Sequence, residues 1–166
     1  MERANKIDAI VIHCSAGYGN VKSIQNYWRN TLGWKNPGYH RIVDLQGKIH
    51  NLSDFENTVN GVKGHNANTV HICYIGGVKK DDYTKAQDTR TDKQKEAIIE
   101  CIYEALRWLE SKGRDICEIK IKGHRDYSPD LNGNGVIDPW ERIKECPSFD
   151  AIPEYIGVID EYKLKN

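Results

Sequence analysis

The chain has 166 residues, and its 24 Lys and Arg are balanced by 24 Asp and Glu. That length suits one domain with a real core, and zero net charge supplies no long-range field to attract nucleic acid or an anionic membrane. No apolar run approaches the roughly 20 residues of a membrane span, and Ala9 to Ile12 is too short for a signal peptide. Synthesis as a soluble cytoplasmic protein is expected, as a monomer and a single domain over residues 1–166.

In chain order, Ile7 to Cys14 (I-D-A-I-V-I-H-C) reads as a buried strand. Asn20 to Leu32 fits a helix, with Ile24, Tyr27, Trp28, Thr31 and Leu32 at helical spacing and Gly33 to stop it. Tyr39 to Asp44 and Lys48 to Leu52 flank a hairpin turn at Leu45-Gln46-Gly47. Val70 to Ile75 is a second buried strand, halted by Gly76-Gly77, and the polar stretch Lys79 to Arg90 reads as a surface loop. The strongest helix runs from Asp92 to Lys112. Thr91 and Gln94 form a capping box ahead of an apolar stripe of Ile98, Ile102, Ala105, Leu106 and Leu109, and Gly113 ends it. Glu118 to Lys122 alternates like a strand, and a short helix follows Pro153. Strands separated by helices predict an α/β domain, a central mixed sheet flanked by helices.

Five cysteines (Cys14, Cys73, Cys101, Cys117 and Cys146) form an odd, scattered set with no C-x-x-C pair. Four lie in apolar stretches, where a thiol behaves as a small hydrophobe, so no disulfide framework is expected. Cys146 differs, because it sits in a polar, Pro-flanked turn.

Two metal signatures occupy the segment from Gly123 to Asp150. His13 and His124 each fall at the end of a strand, and they converge if those strands are neighbours. With Cys146 they would make a His-His-Cys set, which leaves a tetrahedral zinc one open position. His13 and Cys14 point to opposite strand faces, so both cannot join one metal without distortion. Between His124 and Cys146 lies a loop from Asp130 to Glu141 that matches D-x-[DN]-x-[DN]-G-x5-E at every fixed position. Asp130, Asn132, Asn134, the Val136 carbonyl and Glu141 would offer oxygen to calcium there. The flanking helices of an EF-hand are absent, and an Asn-Gly-rich surface turn gives the same pattern. His71, inside V-H-I-C-Y-I, reads as a satisfied structural residue, and Lys144 alone as a solvated charge.

The blocks A-I-V-I-H-C-S-A-G (9–17), P-G-Y-H-R-I-V-D-L-Q-G-K-I (37–49), H-N-A-N-T-V-H-I-C-Y-I-G-G (65–77), T-D-K-Q-K-E-A-I (91–98), G-H-R-D (123–126) and K-E-C-P-S-F-D (144–150) occur in register. Together they resemble the zinc-dependent N-acetylmuramoyl-L-alanine amidases, the family of the phage T7-type lysozyme and the peptidoglycan recognition proteins. The resemblance implies zinc ligands at His13, His124 and Cys146, and catalytic roles for Tyr39 and Lys144. It implies peptidoglycan, as a muramyl peptide, for the substrate, and hydrolysis of the amide joining N-acetylmuramic acid to L-alanine. Members that only bind peptidoglycan commonly lack the cysteine ligand, so Cys146 favours hydrolysis over recognition. A signal-less amidase of this size suits a phage or prophage endolysin, acting on the cell wall after release. Two departures stand out: the long insertion before Cys146, and the lack near Gly61-Val62 of a histidine common in the family.

Overall fold

The computed structural model describes residues 2–166. A single turn, α1 (Arg3–Lys6), precedes strand β1 (Ala9–Cys14), and α2 (Val21–Asn26) runs on into a wider π-helical turn over Tyr27–Thr31. Strands β2 (Arg41–Val43), β3 (Ile49–Asn51) and β4 (Thr69–Tyr74) follow, then a small hairpin of β5 (Val78–Lys79) and β6 (Asp82–Ala86). The long helix α3 (Asp92–Ser111), strand β7 (Lys120–Gly123), and helices α4 (Ala151–Glu154) and α5 (Val158–Lys165) complete the chain.

The main sheet has the order β3-β2-β4-β1-β7. Strand β1 lies parallel to both β4 and β7, β2 is parallel to β4, and only β3 runs antiparallel. This is the mixed sheet expected of the α/β class. Every residue of β1 and β4 is buried, which is why both read as continuous apolar runs rather than alternating ones.

The two sheet faces have different work. Ile10, Ile12, Val70, Ile72 and Tyr74 pack with Ile98, Ile102, Leu106 and Leu109 of α3 in the main core. The opposite face carries Ile42, Cys73 and Ile75 against Trp28, and on it lie the side chains one residue out of phase with the core, His13 and His71 among them. One face therefore holds the fold, and the other is free for chemistry.

Thr91 caps α3 by accepting from the Gln94 backbone N–H, while the Gln94 Oε1 accepts from the Thr91 N–H. The Gln94 amide also donates to the carbonyls of Asp44 and Ile75, which ties the helix start to the ends of β2 and β4. Thr91→Ala is expected to cost about 1 kcal/mol of stability. A lowered melting temperature with unchanged activity in the folded protein would check it.

Two expectations need correction. The polar stretch Lys79 to Arg90 is not a plain loop: it forms β5 and β6, a two-stranded antiparallel hairpin. Its side chains are exposed on both faces over most of β6, so no hydrophobic alternation marked it. The helix read over Asn20 to Leu32 divides into α2 and the π-helical turn, and of its apolar stripe only Trp28 is buried. The short helix expected after Pro153 is α5, and Pro153 itself sits in the first turn of α4, where proline's missing N–H costs nothing.

Candidate metal centre and cleft

His13 is the fifth residue of β1, and Ile12 pairs with Gly123 of β7. The next residue along the chain in each case is a histidine, His13 within β1 and His124 just past the end of β7, so adjacent parallel strands deliver them side by side, with ring centroids 4.9 Å apart. Cys146 arrives from a distant part of the chain. The Arg125 N–H donates to its carbonyl at 2.8 Å, and the Cys14 N–H donates to its sulfur at 3.1 Å. Beyond it, the Tyr74 hydroxyl donates to the Pro147 carbonyl and Phe149 enters the core. The Arg90 guanidinium lies 3.3 Å from the Phe149 ring centroid and pairs with Asp88 and Glu154, which holds the returning segment down.

The outcome is a compact donor set. One ligand atom each from His13, His124 and Cys146 lies within 4.8 Å of the other two. Among the described residues, no second group of three His, Cys, Asp or Glu side chains comes so close together. Cys14 stands outside the set, facing Gly77, where an added Cβ would meet its sulfur at 2.3 Å.

The donors fit a zinc ion by their chemistry. Two imidazoles and one thiol are the borderline and soft ligands that zinc takes. His13 Nδ1 is buried with no hydrogen-bond partner, an arrangement costly for a polar atom unless something occupies its lone pair. Burial and then the charge of Lys144 push His124 down to about 4, so its ring is neutral and able to ligate at neutral pH. Burial also raises the Cys146 thiol above its usual range, and a cation in the centre would reverse that.

Tyr39 lies against the metal set, its ring centroid 4.7 Å from that of His13 and 5.5 Å from that of Trp28. Burial raises its phenol well above the ordinary value, so it stands as a proton-bearing donor. Lys144 is exposed, forms no salt bridge among the described residues, and is near enough for its charge to depress both His13 and His124. Tyr39, His124, Lys144 and Cys146 line one cleft of ≈ 430 Å³, whose other lining includes Tyr83 and Thr84 of the β5–β6 hairpin. Sequence reasoning missed that hairpin as a wall of the cleft.

The loop from Asp130 to Glu141 satisfies its own polar groups. Asp130 accepts from the N–H groups of Gly133 and Gly135, Asn132 from Asn134, and Asn134 from Val136. Buried Glu141 accepts from Leu131, Asn132 and Asp138. Its acidic side chains do not gather as a cluster, and the calcium expectation gains no support.

Behind the centre lie two more buried histidines. His71 contacts His13, and its backbone N–H donates to His40 Nδ1 at 3.0 Å. Burial drives His40 down to about 4, against the pull of the Asn57 carbonyl that contacts Nε2. The folded state therefore keeps His40 neutral while the unfolded chain protonates it near 6.5. Stability is full above that pH and is lost as the pH falls from 6.5 toward 4, by roughly 3 kcal/mol for a displacement of that size. Urea midpoints across this window check the slope, and a flat profile contradicts it.

The N-acetylmuramoyl-L-alanine amidase family model matches residues 3–147. The chain belongs to that family. The endolysin of Escherichia phage T7 is 27% identical over 147 residues, spanning 86% of this chain and 82% of the endolysin. An uncharacterized protein of Haemophilus influenzae is 44% identical over 90 residues, 54% of this chain and 70% of its own. The peptidoglycan recognition protein PGRP-SA of Apis mellifera shares the fold, with a TM-score of 0.64 at 18% identity over 91% of this chain and 82% of its own. These likenesses agree with an amidase-type fold, and the candidate metal site on its open face rests on the geometry of His13, His124 and Cys146.

Proposed function

We propose that this protein is a zinc-dependent peptidoglycan amidase. It hydrolyses the amide between N-acetylmuramic acid and the L-alanine of the stem peptide. The observation that carries the reading is the convergence of His13, His124 and Cys146, the last two of which line a cleft. A zinc ion held by these residues supplies Lewis acidity toward the scissile carbonyl.

The chain's own groups do the rest. A zinc held by three protein ligands would keep a position for water or substrate. The Tyr39 hydroxyl, kept protonated by burial, donates to the oxyanion that develops in the tetrahedral transition state. The Lys144 ammonium stabilises the same charge or relays the proton to the leaving amine. The β5–β6 wall, with Tyr83 and Thr84, borders the space where the muramyl peptide lies.

The resemblance to phage endolysins extends over most of the chain and supports a phage or prophage endolysin, made in the cytoplasm and acting on the wall after release. The test is elemental analysis of the purified protein together with release of N-terminal L-alanine from peptidoglycan. About one zinc per chain with release is the expected result. The fold shared with recognition proteins favours one rival, a peptidoglycan-binding module, and binding without release would decide for it.

A further inference from the structure

Three polar contacts, two of them fully buried, run in series behind His13. Thr69 Oγ1 lies 2.7 Å from the His65 carbonyl oxygen and 2.8 Å from His71 Nε2. His71 Nδ1 in turn lies 2.9 Å from His13 Nε2. The register explains the meeting: Val11 of β1 is paired with His71 of β4, so His13 and His71 are diagonal neighbours on one sheet face.

The proton positions follow by elimination. A carbonyl can only accept, so the single hydroxyl proton of Thr69 goes to His65. Thr69 Oγ1 is then an acceptor toward His71, and His71 Nε2 carries the ring proton. His71 is fully buried and contacts no carboxylate among the described residues, so its imidazole is neutral and Nδ1 is bare. That bare nitrogen accepts from His13, which places the His13 proton on Nε2. Nδ1 of His13, the atom without a partner, is left with its lone pair free.

We propose that His71, held by Thr69, is a positioning residue that fixes His13 as the Nε2–H tautomer and so presents the Nδ1 lone pair to the metal shared with His124 and Cys146. The proposal rests on the zinc reading of the site. An outer hydrogen-bond partner of this kind orients a ligand and sets its tautomer. The ring of His71 has little freedom to do otherwise. Its backbone is fastened to His40, and Gly61 lies against the imidazole so closely that an added Cβ would sit 2.2 Å from Nδ1.

The experiment has a readout that needs no metal. Long-range ¹H–¹⁵N spectra of the ¹⁵N-labelled, metal-free protein report the tautomer of His13. The wild type is expected to show the Nε2–H form, with an Nδ1–H population appearing in Thr69→Val and His71→Ala. Zinc affinity, measured by competition with a chromophoric chelator, is expected to fall about 10- to 100-fold in His71→Ala and about tenfold in Thr69→Val. A wild-type His13 in the Nδ1–H form overturns the proposal. So does an unchanged zinc affinity in folded variants that are merely less stable. If His71→Ala does not fold, the wild-type spectrum and Thr69→Val decide the matter. Wild-type protein that takes up no zinc would sink the zinc reading, while the tautomer spectrum still judges the relay.

Discussion

Cys146→Ser is expected to strip zinc from the protein and to abolish the freeing of L-alanine N-termini on stem peptides, while the circular dichroism spectrum stays that of the wild type. The loss should exceed the 10- to 100-fold that removal of an outer partner typically costs, because a first ligand is gone. Serine is a harder donor that keeps its proton at neutral pH, so it cannot replace a thiolate. The fold should survive because Cys146 lies in a half-buried turn held by its neighbours. Those restraints are the Arg125 N–H on its own carbonyl, the Tyr74 hydroxyl on Pro147, and Phe149 in the core. Stoichiometric zinc in this variant would remove Cys146 from the ligand set.

Lys144→Ala is expected to keep its zinc and its melting temperature, yet to lose turnover by about a hundredfold or more. The side chain is exposed and has no ion-pair partner among the described residues, so its removal leaves no buried charge behind. What it loses is a cation poised over the two histidines, where the oxyanion or the leaving amine would lie. Tyr39→Phe should behave similarly at the chemical step, with slight change to packing because the ring keeps its place against Trp28. Wild-type turnover in Lys144→Ala would return the lysine to an ordinary solvated charge.

The sheet and its long helix were legible because burial leaves a trace in composition. Ala9 to Cys14, Val70 to Ile75 and the capped stripe of α3 carry continuous or helical apolar patterns that few other structures satisfy. The β5–β6 hairpin left no such trace, since polar residues on both of its faces look the same in a hairpin and in a loop. The centre was legible in part. His13 and His124 each end a strand, but only the parallel pairing of β1 with β7 brings the rings together, and pairing is a property of the whole fold. His71 was harder still. As a histidine within an apolar run it looked like a satisfied structural residue, and it is one. What satisfies it is Thr69 together with His13, the latter on the neighbouring strand and 58 residues away. The glycine at 61, where the family pattern has a histidine nearby, was the available hint, because the ring of His71 fills the space above it.

The insertion between the second histidine and the cysteine leaves and rejoins the body at one place, where the Ile143 N–H donates to Ser128 Oγ at 3.0 Å. A clasp at the neck uncouples what lies beyond it from what lies below. Residues 129–141 close largely on themselves, whereas Arg142 at the neck pairs with Glu145 and Asp150 and helps to hold the chain's return to the centre. The loop beyond that neck, short of Arg142, is thus the place where a peptide or a reporter could be spliced in with the least disturbance to the donor set below.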